Sequence, residues 1–228
     1  MKKSVYAGFL IAGLMFVAGC SEVLKPPAEE ARVILRKATD TVIRFKESSE
    51  LKQMARHIAT AKALVVLPTV IKGGFIAAAE GGSGILSVRQ ANGDWSDPAF
   101  YTLASASIGL QAGLQDTEII LVLRNQKALD AVLKHQGKLG ADMGLTIGIF
   151  GAGVEASTTT NLGEDIYAFA SSKVGLFAGV SLEGSALVRR KDLNEAVYGV
   201  GATPQAIIFQ GRLKTSRADD LKRALALP

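Results

Sequence analysis

Between Lys72 and Gln115 the chain reads KGGFIAAAEGGSGILSVRQANGDWSDPAFYTLASASIGLQAGLQ, and this stretch constrains the architecture most strongly. Asn92-Gly93 stands between two apolar runs, the strongest short-range hairpin signal, because a tight two-residue turn needs positive φ. Trp95 follows, and Pro98 closes the turn region. From Ala104 to Gln115 the residues split by parity, with Ala104, Ala106, Ile108, Leu110, Ala112 and Leu114 on one side and small or polar residues on the other. Period 2 predicts one strand over 104–115. Its second face carries glycines instead of charges, which predicts a closely packed neighbouring layer that a side chain at Gly109 or Gly113 would obstruct. No catalytic constellation lies here, so the stretch reads as scaffold.

The rest of the chain supplies helices and further strands. An apolar stripe of Ala31, Ile34, Leu35, Ala38, Val42 and Phe45 predicts a helix over 28–47, and Leu51, Met54, Ala55, Ile58 and Ala61 predict a second over 50–61. Such a stripe either docks on its own domain or lies on a membrane, and both readings stand at this point. Ala63 to Leu67 reads as a buried strand stopped by Pro68, and Glu118 to Leu123 as another. Asn125 caps a predicted helix with Ala128, Leu129, Val132 and Leu133 inward and Gly137 at its end. Residues 140–149 alternate as a strand, 157–161 form a polar loop, and 166–171, 175–188 and 206–209 read as strands or hairpins. Asp192 and Glu195 have capping-box spacing for a short helix ended by Gly199, and a basic helix opens at Ser216 and Asp219 with Leu221 and Leu225 inward. The fold class expected is α+β: an antiparallel, strongly curved sheet or barrel-like core packed with N-terminal, middle and C-terminal helices.

Charge is distributed unevenly. Residues 25–72 hold ten Lys or Arg against five Asp or Glu, residues 73–188 six against eleven, and residues 189–228 eight against four. Basic ends around an acidic middle suit an anionic partner such as a lipid surface. At the N-terminus Lys2 and Lys3 precede an apolar run from Val5 to Ala18, followed by Val17-Ala18-Gly19-Cys20. This resembles a bacterial lipoprotein signal with its lipobox, since about fourteen apolar residues fall short of the roughly 20 that span a bilayer. The resemblance implies a signal peptide over 1–19, cleavage before Cys20 and diacylation of its thiol, and two or more acyl chains anchor stably. Ser21 in place of the Asp tied to inner-membrane retention favours the outer membrane, facing the periplasm. Residues 20–27, with Pro26-Pro27, form a short stiff spacer to a domain over 28–228.

Lys72-Gly73-Gly74-Phe75, Gly81-Gly82-Ser83-Gly84, Trp95-Ser96-Asp97-Pro98-Ala99-Phe100, Ser107 to Gly113 and Lys173 to Gly184 occur in this order. Together they resemble the SYLF domain, best matched over 61–199. The resemblance implies binding of phosphoinositides and other anionic lipids, often through a basic amphipathic N-terminal helix, and actin binding in some eukaryotic members. The basic residues nearest the anchor, Arg32, Arg36, Lys37, Arg44, Lys46, Lys52 and Arg56, together with Lys72, are the candidate headgroup contacts.

Other chemistries lack their residues. His57 and His135 lie far apart with no cysteine beside them, so no metal set is expected and each reads as a helix-surface residue. Gly82-Ser83-Gly84 lacks nucleophile-elbow spacing, and residues 148–153 are not a dinucleotide fingerprint. Glu164-Asp165 reads as a solvated turn, and the basic ends lack the interleaved aromatics of a nucleic-acid surface. The expectation is a non-catalytic lipoprotein without cofactor that binds anionic phospholipid. A structural or interaction protein of the envelope, and a hydrolase of envelope components, are the alternatives.

Overall fold

The computed structural model describes residues 25–48, 53–74, 77–108, 113–134, 139, 147–151, 165–174, 182 and 184–226. The expected leader with Cys20, Lys52, Gly109, His135, Gly137, the loop 157–161 and residues 140–146 and 175–181 lie outside them. The elements in order are α1 (Pro27–Glu47), α2 (Gln53–Thr60), β1 (Ala63–Gly74), β2 (Ala77–Val88), β3 (Ala99–Ile108), β4 (Gly113–Leu123), α3 (Gln126–Lys134), β5 (Ile147–Gly151), β6 (Ile166–Val174), β7 (Ala186–Arg189), α4 (Lys191–Tyr198), α5 (Pro204–Ile208), a 3₁₀ turn (Ser216–Ala218) and α6 (Asp219–Ala226). The class is α+β. One seven-stranded sheet runs in the order β5-β6-β4-β1-β2-β3-β7 and does not close on itself among the described residues. Every pairing is antiparallel except that of β5 with β6.

Successive residues of a strand point to opposite faces, and here both faces are apolar. Ala63, Val65 and Leu67 of β1, Ile119, Leu121 and Leu123 of β4, and Ile166 and Ala168 of β6 join one core, covered by Ala128, Leu129 and Val132 of α3 and Ile207 and Ile208 of α5. Leu64, Val66, Ile120, Val122, Tyr167 and Phe169 join the other, covered by α1, α2, Leu193 of α4 and Leu221 and Leu225 of α6. Helices on both sides of the sheet explain why β1 and β4 read as continuous apolar runs.

Pro68 does not stop β1. The strand continues to Gly74, and Pro68 sits in a bulge at the centre of the sheet. Leu67 and Val70 oppose Ile119 and Thr117, so two residues of β1 face Glu118 alone. On the other side, four residues between Val66 and Ile71 face three between Gly81 and Ile85. A bulge is where a strand tolerates a proline that cannot donate to the ladder. The extra residue presses β1 against β2: a Cβ at Gly82 would lie 2.1 Å from the Thr69 carbonyl oxygen, and one at Gly84 2.1 Å from that of Val66. Close approach is thus found between neighbouring strands at Gly82 and Gly84. Gly113 lies at the start of β4, paired with Gly74.

Two predicted strands are corrected. Residues 104–115 belong to two strands, β3 and β4, which β2 and β1 separate in the sheet. Parity continued across the break because both pieces are strands, and an alternating pattern does not show where one strand ends and the next begins. Residues 206–208 fall in a helix, α5, with Phe209 as its C-cap, because Thr203 accepts a hydrogen bond from the Ala206 N–H (3.2 Å) and Pro204 takes the first turn. The capping box also fails to form: Asp192 pairs with Arg190, and Glu195 accepts from the Gly201 N–H. Asn125 does cap α3, accepting from Ala128 N–H at 2.9 Å, and Gly93 takes φ of 90° in its turn.

Helix α2 docks through His57, whose ring meets Tyr167 edge-on (centroids 4.5 Å apart) and Phe169 (5.8 Å). It is a half-buried interface residue, not a surface one. Burial, then repulsion from Arg124, lowers its pKa below the ordinary 6.5. In the unfolded chain it protonates near 6.5, so its contribution to stability is present above that pH and is lost as pH falls through the lower folded value. Urea melts between pH 5 and 8 should show stability falling below about 6.5. His57→Gln should flatten that decline, and an unchanged slope would exclude His57 as its source.

Candidate functional site

Helix α1 begins with Pro27 at its first position, carries Glu29 and Glu30 in its first turn and Arg44 and Lys46 in its last, all favourable to the helix dipole. It buries Ala31, Ile34, Leu35, Ala38, Thr41, Val42 and Phe45. The expected apolar stripe is thus core, which settles how the helix uses it: membrane contact by α1 has to come from its polar face.

The seven described candidate cations separate into distinct roles, Lys52 lying outside the described residues. Arg32, Arg36, Lys37 and Arg56 are exposed, and Lys72 is half-buried on β1 opposite Glu80. Arg44 instead binds Glu118 of β4, through Nη2 to Oε1 and through Nε to Oε2 at 3.3 Å, and Thr41 Oγ1 donates to the same carboxylate at 2.6 Å. Lys46 donates to the Ala224 carbonyl at 2.7 Å, capping the C-terminus of α6, and burial and the nearby Arg89 lower its pKa. Those two cations hold α1 to the sheet and to α6.

The start of α1 is fixed by Arg190, which forks onto Glu30 with both bonds at 3.0 Å and donates to Ser83 Oγ at 2.8 Å. Helix α6 is fixed by Asp97, which accepts from Thr215 N–H at 3.0 Å and pairs with Lys222 at 3.5 Å. Between these two anchored helices runs a groove of about 580 Å³, lined by Leu35, Ile43 and Ala224, by Arg32, Arg36, Arg217 and Arg223, and by Asp40 and Asp220. Four guanidiniums face two carboxylates, so the groove is apolar within and net cationic at its rim. Arg223 pairs with Asp220 and Arg32 approaches Glu29 at 4.0 Å, whereas Arg36 and Arg217 enter no ion pair among the described residues. Guanidiniums present planar forks that match phosphate oxygens. A second groove, about 290 Å³, lies between α1 and the β1 bulge and includes Lys25, Lys37 and Ile71.

Sequence reasoning reached Arg32 and Arg36 but missed Arg217 and Arg223. The available signal was the basic C-terminal segment; that it packs beside α1 is a tertiary fact. Among the described residues no group of three or more His, Cys, Asp or Glu is placed to hold a metal, and no described helix is long and apolar enough to cross a membrane.

A family model described as "Ysc84: Las17-binding protein actin regulator" matches residues 104–227. SH3 domain-containing YSC84-like protein 1 of Homo sapiens is 33% identical over 203 residues, 89% of this chain and 58% of that protein. The Bos taurus protein of the same name is 32% identical over the same span. Protein YSC84 of Saccharomyces cerevisiae is 34% identical over 163 residues, 70% of this chain and 34% of its own length. The chain therefore spans little more than half of the longer-matching relatives.

Proposed function

We propose that this chain, which belongs to the Ysc84 family of SYLF-domain proteins, is a non-catalytic lipoprotein of the bacterial envelope that holds anionic phospholipid in the groove between α1 and α6. The observation that carries this reading is the juxtaposition of Arg32 and Arg36 with Arg217 and Arg223 around an apolar floor. A phosphodiester headgroup meets the guanidiniums while the glycerol and upper acyl carbons meet Ile43, which is 39% exposed. Acylation at Cys20 and a location at the outer membrane, facing the periplasm, complete the proposal. With the chain so tethered, the groove orients the domain on its own membrane or engages a second one.

The test is flotation of the full chain with phosphatidylglycerol vesicles and with phosphatidylcholine vesicles across a salt series. The N-terminal segment is common to all variants and cancels in the comparison. Each basic residue at an anionic surface is worth about 1 kcal/mol, a factor of about five, screened over roughly 10 Å at 0.1 M salt. Arg36→Gln and Arg217→Gln should each weaken binding to the anionic vesicles about fivefold, and together about thirtyfold. High salt should erase most of the difference between lipids. Binding that ignores both salt and these two substitutions would reject the reading.

A further inference from the structure

The geometry points to a second membrane element: a wedge formed by Val200 and Phe209 that enters the interface of an anionic bilayer. This rests on the anionic-membrane reading above and names the part of the chain that penetrates. Among the described residues four large apolar side chains are exposed: Val200 (98%), Ile71 (50%), Phe209 (49%) and Ile43 (39%), and of these Ile43 and Ile71 line the grooves already described. Val200 and Phe209 flank α5, whose own Pro204, Ile207 and Ile208 are buried, so a helix docked on the core stands between the two exposed side chains.

The presentation is built rather than loose. Gly199 and Gly201, on either side of Val200, take φ of 97° and 83°, a backbone that only glycine adopts readily. Glu195 Oε1 accepts the Gly201 N–H at 2.9 Å, and Ala202 N–H closes on the Gly199 carbonyl at 3.2 Å. At the other end Gln90 donates to the Ile208 carbonyl at 3.2 Å, tying the residue before Phe209 to the β2–β3 connection.

Charge selects the occupant. Between Glu195 and Asp219 the chain has Arg212, Lys214 and Arg217 and no carboxylate. Arg212 and Lys214 are exposed and enter no ion pair among the described residues, and Arg217 lines the groove already described. Two exposed apolar side chains followed by the exposed cations Arg212 and Lys214 match a surface with anionic headgroups above hydrocarbon.

The experiment uses the native fluorophore count. Trp95 is the single tryptophan and is buried, so the wild-type chain supplies a constant baseline. Val200→Trp and Phe209→Trp are made in the full chain and mixed with phosphatidylglycerol vesicles carrying brominated acyl chains. Expected are a blue shift and quenching of each new tryptophan on those vesicles, with the wild-type signal unchanged. In parallel, Val200→Asp and Phe209→Asp should each lower vesicle affinity about tenfold or more at an unaltered melting temperature, because neither side chain is core. New tryptophans that stay solvent-quenched while the protein still floats with anionic vesicles in a salt-dependent way would overturn the wedge and leave the groove standing. Absence of flotation in every variant and in wild type would overturn both.

Discussion

Arg44→Glu should lower the melting temperature of this domain by several degrees. Glu118 is 3% exposed, on the strand face that also carries Ile120 and Val122, and its carboxylate is satisfied by Thr41 and Arg44 of α1. Glu118 is buried but the Arg44 side chain is 50% exposed, so solvent screens the loss: stripping the cation from this carboxylate costs about 1 to 3 kcal/mol, and opposing it with a second carboxylate falls at the upper end, against a total stability of about 5 to 15 kcal/mol. Thermal melts by circular dichroism check this. Arg44→Gln, which keeps a donor, should lose less than Arg44→Glu. Glu118→Leu combined with Arg44→Leu should recover much of the loss, since an apolar pair of similar volume is often neutral or better. A folded Arg44→Glu protein with an unchanged melt would show that the pair contributes little. The result also bears on function: weaker lipid binding by Arg44→Glu would report loosened docking of α1 rather than a lost headgroup contact.

The second large effect is expected at the bulge. Gly84→Val should destabilise by about 3 kcal/mol or more, at the upper end for overpacking. The obstruction at 2.1 Å is the Val66 carbonyl oxygen in the central strand, a backbone atom that no rotamer change can move, and the Val66 carbonyl carbon follows at 2.9 Å. Gly82→Val meets the Thr69 carbonyl in the same way. Gly81 is the internal control, because its Cβ would sit at an ordinary 3.4 Å from the Leu103 carbonyl oxygen. Gly81→Ala should therefore stay within about 1 kcal/mol of wild type. Urea denaturation of the three variants decides the matter, and equal losses at positions 81 and 84 would mean that the bulge relaxes freely.

What the sequence determined by itself was local and periodic. The stripe Ala31-Ile34-Leu35-Ala38-Val42-Phe45 named the buried face of α1, Asn125 and Gly93 marked a cap and a turn, and Leu221 and Leu225 marked the inner side of α6, because each signal acts within a few residues of its cause. The ordered glycine and tryptophan motifs likewise carried the family. Tertiary structure decided everything that depends on which segments meet. The break between β3 and β4 was invisible because alternation continues across it, and Pro68 looked like a stop because a bulge is defined by the partners β2 and β4. The same holds for charge. Arg36 and Arg44 lie on one helix and look alike in sequence, yet Arg36 faces a groove completed by Arg217 from the far end of the chain while Arg44 neutralises Glu118 beneath it. A cation's role is set by the charge that folding brings beside it, and that neighbour lies 74 residues away for Arg44.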